Sequence, residues 1–202
     1  VRTEQEVAQE IARLSTEEIT SAIRAANAPA IIKRAIQALA SKPSSRLGEI
    51  LATFDARIAS GGLGRAAREV VSRLGAKIDV TGECPPKGPV LIVTNHPGAY
   101  DALALMGSLG RDDARLVASD RAFLRAMPHL SLDHLIFIAE DHPMSRARGA
   151  VRALDWIREG HVLVHFGAGK IEPDVKFLYQ GEALGEWGEG TTVLAKKALA
   201  KG

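Results

Sequence analysis

A histidine and an aspartate stand five residues apart just after an apolar run. Val90-Leu91-Ile92-Val93 leads through Thr94 into Asn95-His96-Pro97-Gly98-Ala99-Tyr100-Asp101. A histidine that takes a proton from a substrate hydroxyl needs a partner that fixes its tautomer and stabilises the imidazolium it becomes. Pro97-Gly98 can turn the chain, and an aspartate entering the following helix would then come back to the ring. Such a pair deprotonates a hydroxyl directly, with no nucleophilic serine or cysteine. The same spacing also suits an aspartate that caps a helix beside an unrelated loop histidine, and spacing alone leaves both readings open.

A second candidate follows Val162-Leu163-Val164-His165-Phe166, in Gly167-Ala168-Gly169-Lys170. Two glycines beyond a strand let backbone N–H groups approach a phosphate or an oxyanion, and Lys170 adds charge. A plain turn is the alternative. A nucleotide phosphate loop is excluded, because it needs a glycine where Val164 stands and a serine or threonine where Ile171 stands. Gly62-Leu63-Gly64 fits a dinucleotide fingerprint only loosely, since helix precedes it where a strand is required. Glu172-Pro173-Asp174 either places a carboxylate at the crevice or shapes the exit loop. His161 and His165 share one face of a strand but stand about 13 Å apart, too far to hold one ion directly. With His129, His134 and His142 they read as structural, and no metal is expected.

These residues must be held by two kinds of structure. Residues 1–75 read as helical. Ile31, Ile32, Ala35, Ile36 and Leu39 line one face, opposite Lys33, Arg34 and Gln37. Ser41-Lys42-Pro43-Ser44-Ser45 breaks the pattern. Leu47, Ile50, Leu51, Phe54 and Ile58 form a second helix ended by Gly61-Gly62-Leu63-Gly64, and Ala67, Val70, Val71 and Leu74 a third closed by Gly75. From residue 76 to 202 strands and helices alternate. Strands are expected at Lys77–Val80, Val90–Val93 (buried and central), Arg115–Ala118, Leu135–Ile138 and His161–Phe166. Helices are expected at Tyr100–Leu109, near Asp120–Met127, at Ser145–Arg158 with Ala147, Ala150, Val151, Leu154 and Ile157 on one face, and at Thr191–Ala200. The fold class is therefore α/β, a mostly parallel sheet flanked by helices, after a helical N-terminal region.

Asn-His, four residues and Asp after an apolar strand closely resembles the first motif of the glycerolipid acyltransferases, the 1-acylglycerol-3-phosphate and glycerol-3-phosphate acyltransferase family. The resemblance runs over roughly residues 76–180 and follows the family's order of elements. It implies that fold, with His96 as general base for an acceptor hydroxyl and Asp101 orienting it. Asn95 and Gly98 would have a positioning role. Phe166, Ala168 and Gly169 align with the family's Phe-Pro-Ala-Gly variant, Gly167 replacing its proline, and Gly167 to Lys170 would contact the acceptor phosphate or the donor. The family's Asp-Arg after its next strand is missing here, where Ile138-Ala139-Glu140 stands. Arg146 and Arg148 just downstream either substitute for that arginine or lie on a solvated helix face. The family continues with a Val-Pro strand where this chain reaches Lys201-Gly202, and the chain begins with Val1. The expectation is a truncated, processed or naturally short form.

The implied reaction is O-acyl transfer to a glycerol-phosphate-like or other lipid acceptor, as in phospholipid biosynthesis. Acyl-CoA or acyl carrier protein would be co-substrate, with no cofactor. The rival from another class is a non-catalytic lipid or acyl-carrier binding protein of the same fold; metal-dependent hydrolysis is a more distant one. A net charge of +2 gives no global argument for a nucleic-acid partner. The single Cys84 excludes an internal disulfide and suits a reducing compartment. No secretory signal pattern and no run near the ~20 apolar residues of a membrane span is visible. The expected location is cytoplasmic. The helical region would either cap the core or lay its Lys33-Arg34 side on anionic lipid at the inner membrane face.

Overall fold

In the computed structural model, which describes residues 2–22, 29–98, 100–139, 142–173 and 185–200, helix α1 (Glu4–Ala22) opens with a reciprocal cap. Thr3 Oγ1 accepts the Glu6 N–H (3.2 Å) while Glu6 Oε2 accepts the Thr3 N–H (2.7 Å). Two otherwise orphaned donors are satisfied together. Helix α2 (Ala30–Gly61) packs against α1. The buried positions on α1 are Val7, Ile11 and Ser15, and those on α2 include Ala40, Ser44, Gly48 and Ala52. Both sets repeat every four residues, so each forms one continuous stripe. Small residues on α2 let the two backbones come close. A Cβ on Gly48 would lie 2.3 Å from the Ala8 carbonyl oxygen.

This packing corrects two expectations. The stretch Ser41–Ser45 does not break the helix, because α2 runs through Pro43. The carbonyl that loses its partner to the proline belongs to Leu39, a residue 79% exposed, where water can replace it. The face read as apolar also lies largely outside. Ile31, Ile32, Leu39 and Leu47 are exposed, while the small-residue stripe is buried with Phe54 and Ile58. Close backbone approach outweighed side-chain size. Asp55, itself buried, accepts the Leu130 N–H at 2.8 Å. The chain accordingly groups into two compact units, Val1–Gly62 with Arg121–Leu132, and Leu63–Asp120 with Asp133–Gly202.

In the second unit α3 (Leu63–Arg73) packs on α4 (Asp101–Ser108), so α3 groups with the sheet region. The sheet contains β1 (Val90–Thr94), β2 (Ala114–Ser119), β3 (Leu135–Ile138) and β4 (Val162–Phe166). All pairings are parallel, in the order β1-β4-β2-β3. The α/β class with a parallel sheet and a helical N-terminal region is as the sequence implied. Lys77–Val80 forms no strand, however, and β1 is an edge strand of half-buried residues where a buried central one was expected. The buried centre is β4, whose Val162, Leu163 and Val164 are fully enclosed. An apolar run alone does not distinguish the two positions when helices cover a sheet.

Short helix α5 (Ala122–Arg125) and a π-helical turn (Leu130–His134) lie between β2 and β3. Helix α6 (Pro143–Arg158) packs on β3 and β4, and α7 (Glu189–Leu199) packs on α6. The α6 face is rotated from the expected one. Gly149, Ala153, Leu154 and Ile157 are buried, whereas Ala147, Ala150 and Val151 are exposed. Gly149 sets this rotation, since a Cβ there would lie 2.7 Å from Ile138 Cγ1. Among the described residues no helix is long and apolar enough to cross a membrane.

The N-terminal ends of three strands are clamped by Arg111, which is buried. Its guanidinium donates to the carbonyls of Pro85 and Gly88 before β1 and of Gly160 before β4, and it pairs with Asp113 before β2. His161 lies 3.1 Å from Asp113 and stacks on Trp156, and the Arg115 guanidinium sits over the Trp156 ring, 3.7 Å from its centroid.

Two outcomes are expected. Gly48→Ala should destabilise the protein by about 1–3 kcal/mol in urea unfolding, because the added carbon overpacks two backbones. Asp113 is held below its ordinary 3.8, chiefly by the Arg111 hydrogen bonds and further by His161, against the opposing effect of burial. Its contribution to stability is complete above that ordinary value and is lost as pH falls through the depressed folded one. Asp113→Asn should therefore flatten that acidic part of the stability profile, measured as the urea midpoint against pH.

Candidate active site

The parallel pairing of β1 with β4 ends with Thr94 opposite Phe166. It continues one step further, because the Thr94 carbonyl accepts the Gly167 N–H at 3.0 Å. The two candidate motifs, distant in sequence, therefore leave the same C-terminal edge of the sheet side by side. That edge is where open α/β sheets place their ligands. Beyond it, His96 and Glu172 bond main chain to main chain and main chain to side chain. The His96 carbonyl accepts the Glu172 N–H (2.8 Å), and Glu172 Oε2 accepts the His96 N–H (3.2 Å).

Asp101 is the first residue of α4, and its carboxylate faces back across the Pro97-Gly98 turn. Oδ2 lies 2.6 Å from His96 Nδ1 and accepts the Gly98 N–H at 3.3 Å, while Oδ1 accepts the Ala102 N–H at 2.6 Å. A carboxylate only accepts, so the proton sits on His96 Nδ1 and Nε2 presents a lone pair. Among the described residues Nε2 has no partner. The imidazole also lies flat against Phe166, with ring centroids 4.2 Å apart and planes 15° apart. Its side chain is 26% exposed and that of Asp101 17%, so the pair is held firmly yet reachable.

The remaining expected residues divide sharply. Gly98 matters through its N–H, because nothing lies within 4 Å of where a Cβ would stand. Asn95 is half-buried at the end of β1, with Thr94 Oγ1 3.5 Å from its Oδ1. In the second motif the Gly167 N–H is occupied by Thr94, and the Gly169 N–H by the Phe166 carbonyl at 3.0 Å. Gly169 takes a left-handed conformation, φ +65°. Ala168 is half-buried, and Lys170 is exposed. The segment is thus a closed turn with one projecting cation. Gly167 stands under Trp187, whose ring carbon Cδ2 would lie 2.4 Å from an added Cβ. This is a steric reason for glycine at this position.

Arg146 and Arg148 occupy the first turns of α6, exposed, beyond β3. β3, which α6 follows, lies three strand spacings from β1, about 14 Å, and among the described residues no bond joins either arginine to His96. The structure does not bring them to the histidine. Glu140 and Asp174 lie outside the described residues. Three of the other histidines have partners of their own: His134 Nδ1 is 3.0 Å from the Ala114 carbonyl, His161 Nδ1 3.1 Å from Asp113 Oδ2, and His165 Nε2 3.0 Å from Thr191 Oγ1. Burial pushes the His165 pKa down, favouring its neutral form.

Two contacts had no sequence signal, although Phe166 itself was read as part of the second motif. Phe166 stacks on the histidine only because of the strand register, and Trp187 reaches Gly167 from a segment with no motif. Searches of protein-family models, curated proteins and solved structures found no match to the chain.

Gly167→Ala should displace Trp187, lower stability by about 1–3 kcal/mol in urea unfolding and shift tryptophan emission. Unchanged emission with unchanged stability would show that the ring does not cover this turn in solution.

Proposed function

We propose that the protein is an O-acyltransferase that moves a fatty acyl group from a thioester, acyl-CoA or acyl carrier protein, to the hydroxyl of a glycerol-phosphate-like lipid. The observation that carries this reading is the 2.6 Å contact between His96 Nδ1 and Asp101 at the C-terminal edge of β1, with Nε2 unpartnered among the described residues. The resemblance of Asn95–Asp101 to the glycerolipid acyltransferase motif supports the substrate class, and the parallel sheet with that motif after an apolar strand agrees with the family's architecture.

In this mechanism Nε2 takes the proton of the acceptor hydroxyl as its oxygen forms a bond to the thioester carbonyl carbon. Asp101 stabilises the resulting imidazolium and holds the ring in place. The carbon–sulfur bond then breaks, and the imidazolium returns the proton to the departing thiolate. The products are an ester and a free thiol. Among the described residues Lys170 is the cation best placed for an acceptor phosphate, since it lies in the turn after β4, the strand beside β1, while Arg146 and Arg148 follow β3 at the far edge. Contact at the catalytic edge would bring the protein to a membrane surface peripherally, from a cytoplasmic location.

A second reading, a lipid or acyl-carrier binding protein without catalysis, draws support from the occupied Gly167 and Gly169 amides and the missing arginine after β3. Both readings are separated by transfer of labelled palmitoyl from palmitoyl-CoA to lysophosphatidate or glycerol-3-phosphate. The enzyme reading expects acceptor-dependent transfer, reduced by about 10²–10⁴-fold in His96→Ala with the fold retained. Activity kept within a few-fold in the variant removes His96 from the base role. Binding of the lipid without turnover favours the second reading.

A further inference from the structure

We propose that Glu172 is a positioning residue for His96, gripping the histidine's main chain through the reciprocal hydrogen bonds of its own N–H and carboxylate. The role as stated for catalysis rests on reading His96 as the base. Glu172 is 2% exposed, and its Oε1 has no hydrogen-bond partner among the described residues. A buried carboxyl group with an unfilled oxygen is unfavourable, and an apolar residue of similar size would avoid the cost. Here the other oxygen has one role, to accept the His96 N–H from a position 76 residues distant in sequence. Gly185 closes over this carboxylate. A Cβ on Gly185 would stand 3.4 Å from Glu172 Oε1 and 3.3 Å from both Ala168 Cβ and Lys170 Cε.

The need for such a grip follows from where the ladder stops. The last backbone bond between β1 and the strand beside it is Gly167 N–H to Thr94. Two residues later the His96 peptide is outside the sheet and free to rotate unless something holds it. Phe166 restrains the ring face and Asp101 restrains Nδ1, but each acts on the side chain. Among the described residues Glu172 is the one that bonds both main-chain groups of His96 itself. Since a misplacement of about 1 Å at a reacting group can cost about 10²-fold, backbone restraint has catalytic consequence.

The test uses the full chain and the variants Glu172→Ala and Glu172→Gln. The low-field proton signal of His96 Nδ1–H, identified by its absence in His96→Ala, reports the His96–Asp101 bond without any substrate. Transfer from palmitoyl-CoA supplies kcat and KM, and circular dichroism checks the fold. Glu172→Ala should weaken or abolish the signal and lower kcat by about 10–100-fold with KM within about threefold. Glu172→Gln retains an oxygen acceptor and should keep both signal and kcat within about threefold. A folded Glu172→Ala protein with the signal and kcat intact overturns the proposal, and so does equal loss in both variants. If the alanine variant does not fold, Glu172→Asp, whose carboxyl is withdrawn by about 1.5 Å, is judged by the same two readouts. If the wild type transfers no acyl group, the functional reading fails, while the proton signal still decides whether Glu172 sets the histidine.

Discussion

The pairing of β1 with β4 is the constraint on which the site depends. Its register sets Thr94 opposite Phe166 and brings the two motif-bearing loops out together. A shift of one residue would turn every β4 side chain to the other face of the sheet. Phe166 would leave the imidazole and His165 would take its place, bringing a second titratable ring where the structure has an inert one. The register is well enforced. Val162, Leu163 and Val164 are fully buried with packing on both sides, so neither face tolerates polar substitutes. The core behind β4 supplies the rest, with Leu163 grouped among Ile136, Leu154, Ile157 and Leu194.

The two edges of the sheet are built on opposite principles. At the N-terminal edge every donor of Arg111 is committed, to three carbonyls and one carboxylate, and the cluster is completed by stacked rings. Such a cluster holds strands in place and has nothing left to offer a ligand. At the C-terminal edge Nε2 of the histidine has no partner among the described residues, and Lys170 is exposed. A fixed base beneath and reachable groups above is the arrangement expected where loops carry chemistry and strands carry stability.

Much of this was legible in the chain. The helical first region, four of five expected strands and the meeting of His96 with Asp101 follow from apolar runs, turn residues and a recognisable motif. What escaped reading has a common physical cause. Which strand is central, which side of α6 faces the sheet, and which stripe of α2 meets α1 are decided by tertiary packing, and in the helices by glycines whose missing Cβ admits a neighbour. Gly48 and Gly149 contribute no hydrophobicity to a periodic pattern, yet each fixes the face that is buried. Pro43 misled for the same reason, since a favourable helix–helix contact overrode a local breaker. The Glu172 contact to His96 is long-range and through the main chain, and no residue type announces it.

The occupied amides of the second motif bear on how any anion would be recognised. A backbone nest binds phosphate when successive N–H groups point outward and unpaired. Here Gly167 donates to Thr94 and Gly169 to Phe166, so the turn's glycines serve the fold. Gly167 is there to admit the Trp187 ring and Gly169 to take a left-handed turn. The two glycine amides are therefore not offered to an anion, and among the described residues Lys170 is the cation exposed at this turn. A single flexible cation discriminates weakly between anions compared with a planar guanidinium held in two-point contact. On the proposed acyl-transfer reading, selectivity for one acceptor would rest also on how its hydroxyl reaches a histidine held by Asp101, Phe166 and Glu172.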